Sequence, residues 1–156
     1  LLVPTPASPS TQGNLSIPSE PNTPFQIDLT QQQINDYVTG QTYDLQGVEI
    51  SDVHVAITDQ ALIADFQAKE QQSGMTLPLT VRGIPEVNNG DLYLRVESFE
   101  LGSSVSGFTR AIARGMIQKL IDQYSTPYGI PVPINNVQFE SVTLAPQQIT
   151  VQGITK

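Results

Sequence analysis

The sequence predicts an α+β fold in which a curved antiparallel sheet of about six strands wraps around one long helix, with a short helix near the N-terminus. Three observations carry this expectation. Residues 47 to 101 alternate apolar and polar side chains with period two, segment after segment, as half-buried strands do. Residues 108 to 124, FTRAIARGMIQKLIDQY, instead carry two adjacent apolar rows at helical spacing: Phe108, Ile112, Met116 and Leu120 beside Ala113, Ile117, Ile121 and Tyr124. Together the rows span roughly 220° of the helix surface, against the ~100° needed by a helix resting on one flat sheet. A curled sheet covers both flanks. The rival arrangement, an open sandwich with the helix across one end, explains the strands equally well and the second apolar row less well.

At 156 residues the chain suits one domain with a sizeable core. With no cysteine it has neither a disulfide framework nor a zinc-thiolate site, and no apolar run reaches the length of a membrane span. The start LLVPTP, which lacks methionine, fits a chain from which a signal peptide or membrane anchor has been removed. Residues 1 to 68 hold eight acids and no Lys or Arg, so the whole net charge of −8 sits in the first half. Such a surface repels polyanions, which excludes nucleic acid as a partner and argues against polybasic membrane docking.

Residues 1 to 24 hold six of the twelve prolines with many Ser, Thr and Asn, a composition that reads as an extended tether, and residues 25 to 156 as the folded domain. Phe25, Ile27 and Leu29 alternate as a short strand. Thr30 and Gln33 make a capping box for a helix whose apolar stripe is Ile34, Tyr37 and Val38, with Gly40 placed to end it. Four strands follow, centred on Val53–Ile57, Leu62–Phe66, Leu77–Val81 and Leu92–Val96. Asn88-Asn89-Gly90-Asp91 is a hairpin signal, because Asn-Gly supplies the two positive φ angles of a tight turn. Past Val96 the apolar set slips to Phe99 and Leu101, which predicts a bulge near Glu97-Ser98. After the long helix, TPYGIPVP is an extended crossing, and two strands near residues 136–144 and 147–154 close the chain. By alternation Phe66, Leu79, Val81 and Val96 point toward the long helix.

The helix TQQQINDY at residues 30 to 37 and the run GIPEVNNGDLYLRVESFELGSSVSG at residues 83 to 107, leading straight into an amphipathic helix, resemble the YpmS-type and LmeA-like families of bacterial extracytoplasmic proteins. In those families a proline-containing strand, an Asn-Gly hairpin, an alternating strand and a leucine-glycine exit precede the long helix. The resemblance covers about residues 25 to 124. It implies an extracytoplasmic, membrane-tethered or lipoprotein-like domain related to tubular lipid-binding folds, with an acyl chain as ligand. Residues 103 to 106, Ser-Ser-Val-Ser, depart from the apolar and proline residues of many relatives.

Chemistry is scarce. The single histidine, His54, sits between Val53 and Val55 and points away from the core, and no second histidine or cysteine completes a metal or nucleophile set. Nucleotide, hydrolase and metalloprotease motifs are absent, so no catalytic residue, metal or cofactor is expected. The expected function is non-enzymatic binding of a phospholipid or other acyl-chain ligand. Its groove is lined by Phe108, Ile112, Met116 and Ile117 of the long helix and closed by Ile34, Tyr37 and Val38, with Arg110 and Arg114 as headgroup candidates. The alternative is an envelope scaffold or adaptor with a filled core that binds another protein.

Overall fold

The computed structural model describes residues 17–103, 105 and 107–156. Strand β1 (Pro24–Thr30) leads into helix α1 (Gln31–Val38), followed by β2 (Tyr43–Leu45), β3 (Val48–Ile57), β4 (Leu62–Glu70), β5 (Thr76–Asn88) and β6 (Asp91–Leu101). Helix α2 (Gly107–Tyr124), β7 (Ile130–Pro131), β8 (Val137–Ala145) and β9 (Gln148–Thr155) complete the chain. The strands form two antiparallel sheets, a six-stranded one in the order β2-β3-β4-β5-β6-β7 and a three-stranded one in the order β1-β9-β8.

This corrects the expected fold class. The protein is mostly β, 54% strand against 19% helix, and the sheet is curled but does not wrap around the long helix. The first and last strands, separated by the whole chain, pair with each other and build a second sheet of their own. Alternation identifies strands but carries no information on which strand pairs with which across such a distance. The arrangement therefore lies nearer the open sandwich with a helix across one end.

The inner face of the large sheet is continuous. It runs through Leu62, Ala64, Phe66 and Ala68 on β4, which oppose Gly83, Val81, Leu79 and Leu77 on β5. On β6 the pairing shifts between Arg82 and Gly83, with Ser98 opposite the first and Val96 opposite the second. That bulge at Glu97 keeps Leu94 and Val96 on one side of it, and Phe99 and Leu101 on the other, all facing inward. A second bulge lies in β3 between Ser51 and His54, where Asp52 takes φ +53°. It lets Val48, Ile50, Val55 and Ile57 share the inner face, whereas uninterrupted alternation would turn one of these pairs outward. The β5–β6 hairpin turns on Asn89 (φ +52°) and Gly90 (φ +85°), the two-residue turn that Asn-Gly predicts. Pro78 and Pro85 lie in a central strand, yet Pro78 precedes the start of the β6 pairing and Pro85 lies beyond the end of the β4 pairing, so each falls where β5 has one neighbour.

Two covers share this face, each with its own core. At one end α2 closes a cluster of Ala68, Leu77, Leu79, Phe99, Leu101, Val105 and Ala113. At the other the small sheet packs Val137, Phe139, Ile149 and Val151 on Ile57, with Leu62, Val87 and Leu92 around them. The tail joins the second core. Ile17 packs against it, Asn22 and Thr23 donate their amides to the Thr155 carbonyl and hydroxyl, and the Thr155 hydroxyl donates to the Glu20 carbonyl. Thr155 is itself buried. Residues 17–23 are thus bonded to the last strand, and the rest of the expected tether, residues 1–16, lies outside the described residues.

Helix α1 guards an open edge. β2 covers only the first residues of β3, and further along the Asn35 side chain stands in for a missing strand: its Nδ2 donates to the Val55 carbonyl at 2.8 Å and its Oδ1 accepts from the Val55 amide at 2.7 Å. Gln31 Oε1 accepts from the Ile57 amide at 2.9 Å. The Thr30–Gln33 capping box is present and fixes the start of this helix. Asn35→Ala leaves both polar groups of Val55 without their partner, so a loss of about 2 kcal/mol is expected from two hydrogen bonds at ~1 kcal/mol each. Urea denaturation measures it; a change under ~0.5 kcal/mol would show that water replaces the amide at no cost.

Candidate functional site: an apolar cavity under the long helix

The inner face of the large sheet is longer than its two covers. Beside the cluster under α2, the residues Ala64, Phe66 and Val81, with Leu94 and Val96, wall a cavity of about 390 Å³, although Phe66 and Val81 also pack against that cluster. Its roof is α2, through Ala113, Met116, Ile117, Leu120, Ile121 and Tyr124, with Leu45, Val48 and Ile50 at one side and Ile130 at another. It is a half-open cavity, and the exposed side chains of Leu45, Met116 and Tyr124 mark its mouth. The wall is apolar throughout. The one carboxylate near it, Glu70, accepts the Gln72 and Ser73 amides of the β4–β5 turn at 3.0 and 2.9 Å. Those bonds, led by the Ser73 side chain and then the turn amides, hold the Glu70 carboxyl below its ordinary value, so it stays an anion engaged with its own turn.

Small residues create the space. Ala64 and Ala68 on β4 occupy positions where the neighbouring strands carry Val, Ile or Leu, and Ala113, only 1% exposed, brings the helix backbone close to one end of the sheet. Gly102 has a similar role at the strand exit: a Cβ there would stand 2.6 Å from Pro78 Cγ, so only glycine lets β6 turn into α2 over β5.

The structure separates the residues that the sequence grouped as one lining. Met116 and Ile117 line the cavity. Phe108 and Ile112 do not; they are 80% and 45% exposed on the flank of α2 that faces away from the sheet. The short helix lies elsewhere. Ile34 packs into the core under the small sheet, Tyr37 is 74% exposed, and neither they nor Val38 reach the cavity wall. Of the four strand residues expected to face the helix, all line the cavity: Phe66, Leu79, Val81 and Val96.

Both headgroup candidates have partners within the fold. The Arg110 guanidinium donates to the carbonyls of Val105, Leu101 and Gly102 at 3.0, 3.4 and 2.8 Å, stapling the strand exit to the first turn of α2. Arg114 stands over the Phe99 ring, 5.2 Å from its centroid. His54 is on the outer face opposite Asp65, whose carboxylate accepts from the Thr80 hydroxyl. Among the described residues no three metal-ligating side chains converge, and no helix is long and apolar enough to cross a membrane. A wider depression of about 510 Å³ at Glu86, Asn88, Tyr128 and Glu140 is open and polar, and offers nothing an apolar ligand would choose. No protein-family model and no curated protein matches the chain.

Proposed function

We propose that the protein binds a single acyl chain or similar unbranched apolar ligand in the cavity under α2, without chemistry. One observation carries this reading: a cavity of about 390 Å³ whose wall offers an incoming ligand only hydrocarbon. Apolar walls of this kind left unfilled forfeit packing, and a chain that fills the space recovers that energy together with its own transfer from water. At the ~30 Å³ that a water-sized group occupies, the space takes about a dozen carbons, one chain and not two. Met116 suits the roof, since its flexible thioether adapts to a chain of variable shape. The resemblance to bacterial extracytoplasmic lipid-binding families supports the same ligand class and a place outside the cytoplasm, tethered to a membrane.

Recognition then rests on chain length. Affinity rises by about 0.8 kcal/mol per methylene until the cavity is full and levels off near a dozen carbons, with little response to salt or to the group that ends the chain. Thermal stabilisation by fatty acids, fatty alcohols and lysophospholipids of rising length reads this. Equal stabilisation by all lengths, or dependence on the headgroup alone, would contradict it and favour a scaffold that binds another protein.

A further inference from the structure

The two apolar rows of α2 are treated differently by the fold. One row, with Ala113, Ile117 and Ile121, faces the sheet and the cavity. The other remains outside: Phe108, Ile112 and Met116 are 80%, 45% and 44% exposed and stand one turn apart along the helix. Met116 belongs to both sets, since it also lines the cavity, so the exposed row runs directly to the cavity's mouth. Lys119 continues this face, three residues after Met116 and seven after Ile112, and is exposed. The charge pattern sets the helix apart as well. It carries three of the chain's seven Lys and Arg and one of its fifteen acids, and that acid, Asp122, lies in the last turn, where Gln118 donates to it.

From this we infer that the outer row of α2 inserts shallowly into a lipid surface of neutral, phosphate-bearing headgroups, with the cavity mouth turned to the acyl layer. This rests on the cavity reading. A chain passing from a bilayer to the cavity through water would expose a dozen methylenes, at about 0.8 kcal/mol each, whereas a mouth pressed into the acyl region avoids that exposure. The occupant is a lipid surface because the row is continuous with the route the ligand must take. Its headgroups are neutral because the chain carries a net charge of −8, which opposes approach to an anionic membrane, while Lys119 on the inserted face can reach up to a headgroup phosphate. Phe108 and Ile112 insert as the apolar side of an interfacial helix does.

The chain contains no tryptophan, so Phe108→Trp places a single reporter on the row. With phosphatidylcholine vesicles its emission shifts to the blue and is quenched by brominated acyl chains, and the protein floats with the vesicles at low and high salt alike. The double variant Phe108→Ser, Ile112→Ser loses about a hundredfold in vesicle partition and keeps both its melting curve and its binding of a free fatty acid in solution. Fatty-acid binding without flotation would overturn the inference and leave the cavity reading intact, whereas flotation without fatty-acid binding would remove the cavity and not the docking row. Flotation confined to anionic vesicles and abolished by salt would also overturn it. So would a shift from dimer to monomer in the double variant by sedimentation equilibrium, which would make the row a contact between two copies.

Discussion

Ala64→Trp is expected to abolish acyl-chain binding and leave the protein folded. Ala64 lies mid-strand on β4, between Val55 on β3 and Val81 on β5, and its side chain forms part of the cavity wall. An indole built there enters space that is now empty, so the cost is the limited overpacking of ~1–3 kcal/mol at most, partly offset by new contacts. The ligand loses far more. If the ring displaces about five carbons of the chain, binding weakens by ~4 kcal/mol, roughly a thousandfold. Displacement of a fluorescent fatty acid measures the affinity, and a thermal melt by circular dichroism shows whether the variant is folded. A folded Ala64→Trp protein with undiminished affinity would place the ligand elsewhere.

Ala113→Asp is expected to unfold the protein, while Ile112→Asp, one residue away, leaves it soluble and cooperative. Ala113 is 1% exposed in the core between α2 and the sheet, and a carboxylate buried there meets an apolar cluster whose neighbouring cations, Arg110 and Arg114, are already engaged with the strand-exit carbonyls and the Phe99 ring. Its desolvation costs several kcal/mol against a total stability of about 5–15 kcal/mol. Ile112 is 45% exposed on the outer row, where a carboxylate stays hydrated. Urea titration of both variants checks the pair. Equal damage at the two positions would mean that α2 is rolled about its axis relative to its observed seat.

That contrast shows what the sequence made legible and what it did not. Periodicity marks both rows of α2 as apolar and the ~220° arc as too wide for one contact, but it ranks neither row above the other. The larger row, Phe108 and Ile112, looks like the better core and is the one left outside. The discriminating signal is size: Ala113 is the only residue of the two rows small enough to let the helix backbone approach the sheet closely. The slip in alternation after Val96 signals the bulge that brings Phe99 and Leu101 inward, whereas the bulge at Asp52 leaves no comparable mark in a strand with Val53 and Val55 both present. Polar side chains, which periodicity does not weigh, decide the seat of the short helix. Its apolar stripe fits either end of the inner face, and Asn35 and Gln31, bonded to Val55 and Ile57, choose one. The cavity residues Ala64, Val81, Leu94 and Val96 were readable as inward-facing but not as unfilled, since alternation reports the side a residue faces and not the distance to what covers it.

Intermolecular nuclear Overhauser effects between a bound lauric acid and protein methyl groups test the central claim most directly. Contacts from the chain's methylenes to Val81, Val96, Ile117 and Met116 are the expected result, because these groups face one another across the cavity from sheet and helix. Contacts confined to Phe108 and Ile112 on the outer flank, or to Ile134 and Leu144 beneath the small sheet, would show that the space under α2 is not where an apolar ligand binds.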